Sequence, residues 1–153
     1  MFLLAYTAAL TECFADTCAS GFGMLSSRAF DPFRMRSVPV GLSGGMSPLG
    51  TCASILAAAT FPLIASAFGV LDIYECMIAA AAAALGAVFD SMLGSLLQAK
   101  YKCIVCGIVT EKNEHCGSST ELISGKRVFN NDVVNVISVA FSGLVSALIY
   151  MLI

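Results

Sequence analysis

The chain has no tryptophan, a single histidine and only 12% charged residues. Soluble domains carry about 25% charged residues. That shortage, with 58% apolar residues and a mean hydropathy of +0.88, excludes an ordinary soluble domain and points to an integral membrane protein. Eight basic residues against ten acidic ones leave no broad positive field, so no nucleic-acid partner is expected. Without tryptophan, any aromatic belt at a membrane interface rests on tyrosine and phenylalanine. A length of 153 residues allows one helical bundle rather than two domains.

Four charge-poor windows are long enough to cross a bilayer. They run from about Phe2 to Leu25, Thr51 to Leu71, Met77 to Leu97 and Val133 to Ile153. The expected fold is an all-α, multi-pass membrane protein with about four transmembrane helices in one domain over residues 1–153. Residues 98–131 form a polar segment too short for a sizeable core. The apolar run Met1–Leu10 has no basic n-region and is soon followed by Glu12 and Asp16, which argues against a cleaved signal. All eight basic residues lie in the segments 28–36 and 100–127, which two spans separate and which therefore share a side. The opposite side holds only Asp72 and Glu75. The positive-inside rule puts the basic side in the cytoplasm or its topological equivalent. Arg28, Arg34, Arg36, Lys100 and Lys102 flank that face, where they suit topology and anionic membrane lipid.

Asp16, Asp90 and Asp132 sit at the rims of spans on that same side. A carboxylate at the centre of a membrane helix costs roughly 2.5–3.5 kcal/mol, so such residues are functional candidates by default. Helical spacing extends the set. Glu12, Asp16 and Ser20 share one face, as do Gly86, Asp90, Gly94 and Gln98, and as do Asn131, Asn135, Ser138, Ser142 and Ser146. Six consecutive alanines, Ala79–Ala84, let a neighbouring helix approach closely. Ahead of the second span, Gly41-Leu42-Ser43-Gly44-Gly45-Met46-Ser47 offers backbone N–H groups beside a helix N-terminus. That geometry suits phosphate, although GK[ST] is missing.

Of seven cysteines, Cys13, Cys18 and Cys52 fall in or beside apolar spans, where they read as small packing residues, and Cys76 lies at a span edge. Cys103, Cys106 and Cys116 join His115 in the polar segment, the ligand set of a structural Cys₃His zinc site. Zinc would fold a segment that cannot build its own core.

These motifs come in a recognisable order. Ala15-Asp16-Thr17-Cys18-Ala19-Ser20 is followed by Val38-Pro39-Val40-Gly41, Gly44-Gly45, Asp90-Ser91-Met92-Leu93-Gly94, Cys103-x-x-Cys106, His115-Cys116-Gly117 and Asn131-Asp132-Val133-Val134-Asn135. Over nearly its whole length the chain resembles the phytyl-phosphate kinase and transmembrane protein 19-like family. The resemblance implies phosphorylation of a prenyl monophosphate, such as phytyl phosphate, by a nucleoside triphosphate. It departs at Gly21 and Asn130, where that family usually has acids, and the chain starts almost at the first motif, so a form truncated at the N-terminus is expected.

Under that reading Asp16, Asp90 and Asp132 hold Mg²⁺ or its waters, and Gly44, Gly45 and nearby N–H groups cradle phosphate. Ser20, Ser47, Gln98, Asn131 and Asn135 contact phosphate or orient the acids. The competing expectations are a non-catalytic membrane protein with the zinc loop as a docking element, and a small transporter that uses the acids as an ion path.

Overall fold

A computed structural model describes residues 1–153. Four helices form the body: α1 (Phe2–Gly23), α2 (Pro48–Ala67), α3 (Ile73–Leu96) and α4 (Asn131–Leu152). Three of them, α2, α3 and α4, are long and apolar enough to cross a membrane. Glu12 and Asp16 make α1 less apolar, yet it packs against all three others.

Local chemistry sets the helix starts a few residues before the hydropathy windows. Ser47 caps α2 by accepting the Gly50 N–H at 3.1 Å, with Pro48 in the first turn. Asp72 and Glu75 form a capping box on α3, each side chain accepting the other's backbone N–H. The two acids that stand alone on the side opposite the basic segments therefore start α3. Asn130 caps α4 through Val133 N–H at 2.9 Å.

The interior is made of small side chains. Leu4, Ala8, Leu71, Ala79 and Ala82 meet at the end that holds Met1, the α2–α3 turn and the end of α4. Ala15, Ala57, Ala58 and Ala83 meet nearer the other end. Ala79, Ala82, Ala83 and Gly86 lie on one face of α3, and Ser138, Ser142 and Ser146 on one face of α4, all buried. The expected small and polar stripes do face inward. Large side chains such as Leu56, Leu63, Tyr74 and Leu144 point outward, as lipid contact requires. Cys13 and Cys52 also point outward, which corrects their reading as packing residues; Cys76 is the buried one of the helical cysteines.

The expectation of an all-α protein is corrected by the two polar segments, which form β-structure at one end of the bundle. Residues 29–38 make a hairpin of β1 (Ala29–Asp31) and β2 (Arg36–Val38). Residues 100–124 make a sheet of β3 (Lys100–Cys103), β4 (Val109–Thr110), β5 (Glu114–His115) and β6 (Ser118–Ser124), in the order β4-β3-β6-β5. Burial along β6 alternates strictly between half-buried and exposed, the period of a strand with one covered face. A search for long apolar runs passes over that signal.

Asp31 ties the hairpin to the bundle. It is fully buried and accepts from Ser95 Oγ on α3 at 2.8 and 2.7 Å, and from the Phe33 and Arg34 N–H groups at 3.1 Å each. Asp31→Ala orphans these donors and is expected to cost about 3 kcal/mol, read as a clear fall in the apparent Tm of detergent-solubilised protein. Asp31→Asn, which keeps most acceptors, should fall less; an unchanged Tm for the alanine variant would refute this anchor.

Candidate functional site

Above the α1–α2–α3 junction lies a cavity of about 600 Å³. Asp16 and Ser20 enter it from α1, Asp90 from α3, and Asn131 and Asn135 from α4, while the glycine stretch 41–47 forms a wall. The arrangement follows from helix direction. α1 and α3 run one way and α4 the other, so one turn of each brings Glu12, Gly86 and Ser142 to one level and Asp16, Asp90 and Ser138 to the next. Contacts fix both levels. Ser142 Oγ donates to the Ala8 carbonyl at 3.1 Å, and Ser138 Oγ donates to Asp90 Oδ1 at 2.8 Å. A Cβ on Gly86 would meet Glu12 Cγ at 2.6 Å and Ser142 Cβ at 3.0 Å, so only glycine leaves room for the glutamate.

Asp132 does not join its expected partners. It is exposed in the first turn of α4 and is not part of the cavity wall. An acid in a first helical turn complements the helix dipole there. Gln98 is buried beside the cavity rather than lining it, and its Nε2 donates to Glu111 at 2.8 Å. Ser47 lines the cavity, but its hydroxyl oxygen already accepts the Gly50 N–H.

The glycine stretch is held from within. Gly44 has φ +79°, and a Cβ there would run into the Ser95 backbone, so the loop lies directly on α3. The Gly45 N–H is bonded to the Leu42 carbonyl at 3.0 Å. The Ser43 N–H is bonded to Glu111 Oε1 at 2.7 Å. Two of the N–H groups expected to face phosphate thus have internal acceptors.

Two acids of this region had no role in the expected site. Glu12 was visible as the residue one turn before Asp16. It is 1% exposed, and neither carboxylate oxygen has a hydrogen-bond partner. Glu111 lines the cavity from the turn between β4 and β5. No local pattern marks it, because its place depends on the sheet's tertiary packing. Lys100 is 2% exposed and donates to the Ser43 carbonyl at 2.8 Å. Burial, and then Arg34 nearby, pull its ammonium below the usual lysine range, while Asp31 and Glu111 oppose them.

A second cluster sits in the sheet. The ligand atoms of Cys103, Cys106, His115 and Cys116 all lie within 4.8 Å of one another. His115 Nδ1 is 3.4 Å from Cys106 Sγ and 3.2 Å from Cys116 Sγ. Tetrahedral zinc with ordinary Zn–S and Zn–N lengths places neighbouring ligand atoms ~3.5–3.8 Å apart, so the set fits such a metal. The adjacency of His115 and Cys116 is accommodated by the backbone. Cys116 has φ +53° and Gly117 φ +71°, which turn the second thiol back toward the ring. The Cys106 N–H holds the Cys103 thiol down at about 6, whereas hydrogen bonding with Cys106 and then burial push Cys116 up. The Cys103 thiol therefore ionises more readily than that of Cys116.

The sequence model of a family described as integral membrane protein DUF92 matches residues 1–143. The chain belongs to that DUF92 family. Curated proteins and solved structures gave no match. Family membership and the apolar helices make this DUF92 chain an integral membrane protein.

A buried acceptor left without a partner costs about 1–3 kcal/mol, and more when it is charged. Glu12→Met, similar in volume and without polar oxygens, is therefore expected to raise the apparent Tm. A lower Tm would show that Glu12 contributes to stability through contacts it does not make here.

Proposed function

We propose that this DUF92 chain is a membrane prenyl-phosphate kinase. It would transfer the γ-phosphoryl group of a nucleoside triphosphate to a prenyl monophosphate of the phytyl type. The observation that carries this reading is that Asn135 lines two spaces at once. On one side is the cavity with Asp16 and Asp90; on the other an apolar groove between α1 and α4, lined by Ala5, Ala9, Val139, Ala140 and Gly143 among others. A phosphate head with an apolar tail has that form. The motif resemblance to phytyl-phosphate kinases supports the same chemistry.

Phosphoryl transfer depends mainly on positioning and charge stabilisation. An oxygen of the acceptor phosphate attacks the γ-phosphorus as the β–γ bridging oxygen leaves, giving prenyl diphosphate and nucleoside diphosphate. Asp16 and Asp90 are the candidate Mg²⁺ ligands. Mg²⁺ commonly takes one or two carboxylates, waters and substrate phosphates rather than a closed protein cage, and two acids on one cavity fit that. When bound, the ion would neutralise charge on the transferring group. Ser138 fixes the Asp90 carboxylate, while Ser20, Asn131 and Asn135 can donate to phosphate. The glycine stretch shapes the donor side, and Gly44 keeps it against α3. Asp132 would act at most through the dipole of α4.

Purified protein with Mg²⁺, phytyl monophosphate and γ-labelled nucleoside triphosphates should form labelled diphosphate. Asp16→Asn and Asp90→Asn should each lower kcat/KM at least about a hundredfold, the scale for losing one charge-stabilising group. In the same assay Gly143→Leu should raise KM for long prenyl chains more than for short ones. Absence of transfer by folded protein with every common nucleoside triphosphate would reject the reading.

We also propose that the Cys₃His cluster holds structural zinc. Elemental analysis should find about one zinc per chain, lost in Cys103→Ser with Cys106→Ser; an equal zinc content in that double variant would reject it. A second reading of the whole chain, a non-catalytic protein that docks through the zinc loop, draws on the exposed apolar tip Ile104, Val105 and Ile108.

A further inference from the structure

We infer that Glu111 is a positioning residue that latches the glycine stretch, and that metal in the Cys₃His cluster sets the latch. The Ser43 peptide is gripped on both edges by the sheet. Glu111 Oε1 accepts its N–H at 2.7 Å, and Lys100 Nζ donates to its carbonyl at 2.8 Å. Glu111 is itself steadied by Gln98 Nε2 at 2.8 Å. The next residue, Gly44, is pressed on the Ser95 backbone, so the loop is fixed from below by α3 and from the side by the sheet.

The grip spans 68 residues of sequence between Ser43 and Glu111. It is only as firm as the segment that carries Glu111. That segment runs between the ligands Cys106 and His115, and Lys100 opens the strand that ends in Cys103. Within the sheet only Lys100, Tyr101 and Cys103 are buried, too few to form a core. Small elements of this kind take their folding free energy from the metal. Releasing the metal loosens the β4–β5 turn, withdraws Glu111 from Ser43 and frees one wall of the cavity. The inference rests on metal occupancy of the cluster, and it stands apart from the kinase reading.

Hydrogen exchange of the full chain in lipid nanodiscs tests it, with zinc content measured on the same samples. Chelation should speed exchange over residues 41–47 by about tenfold or more, the scale of one charge-assisted hydrogen bond, while α2, α3 and α4 stay protected. Glu111→Ala should show the same loop acceleration with its zinc retained, and Glu111→Gln, which still offers an acceptor, should recover part of the protection. Acceleration confined to residues 103–116 after chelation would overturn the proposal. So would a protected loop in zinc-loaded Glu111→Ala, or a chain that takes up no zinc. Phosphoryl transfer measured in parallel separates the two readings: loop coupling without transfer rejects only the kinase, and transfer without coupling rejects only the latch.

Discussion

Carboxylates carried on apolar helices must face one another rather than lipid, and the arrangement of this protein depends on that requirement. Unsatisfied polar groups in hydrocarbon are costly. α1 carries Glu12 and Asp16 on one face, so that face has to lie inside the bundle. It is received by surfaces with almost no side chains of their own: Gly86 beneath Glu12, alanines on α2 and α3, and serines on α4. The small residues allow the helices to come close, and the serine hydroxyls supply donors without volume. The result is a polar level inside an apolar bundle, opening at one end into the cavity.

That opening needs a cover, and neither polar segment can form one from apolar packing alone. The hairpin β1–β2 is pinned by the buried Asp31 to Ser95, and the larger sheet is pinned by Gln98, Lys100 and Glu111 around Ser43. Both attachments converge on the end of α3, where Gly94 and Ser95 also meet Gly44. The close approach explains glycine at two positions at once. A Cβ on Gly94 would come within 2.9 Å of the Gly44 nitrogen, and one on Gly44 would enter the α3 backbone. The loop first attractive as a phosphate cradle is thus a packing surface, and the Ser43 and Gly45 N–H groups are spent on internal acceptors.

What could be read from residues alone was whatever repeats along a helix. The inward stripes of α3 and α4 follow from three- and four-residue spacing, which one helix expresses by itself, and the common side of Asp16 and Asp90 follows from the charges of the connecting segments. The Cys₃His set was legible because ligand chemistry restricts residue type and spacing. The β-sheet was not, because its strands are two to seven residues long and its order places β6 between β3 and β5. Glu111 was hidden for the same reason: it reaches the cavity only after the sheet has formed. Asp132 shows the opposite case. It lies at the right depth in the chain order, yet helix phase turns Asn131 and Asn135 toward the cavity and leaves Asp132 at the exposed start of α4.

The exchange of Asp132 for Glu111 changes how the site is held together. Three aspartates on three helices would form a site as rigid as the bundle. Two on helices and a glutamate in the β4–β5 turn make one whose floor is set by helix packing and whose wall is set by how the sheet packs on the bundle. Glu12 lies beneath that floor, buried and without a hydrogen-bond partner. Apolar packing alone would have favoured a methionine or leucine there. Set between Gly86 and Ser142, one turn below Asp16 and Asp90, Glu12 extends the polar level one helical turn deeper than the cavity. Polar groups then run without a break from the sheet-held wall down to a carboxyl within the bundle.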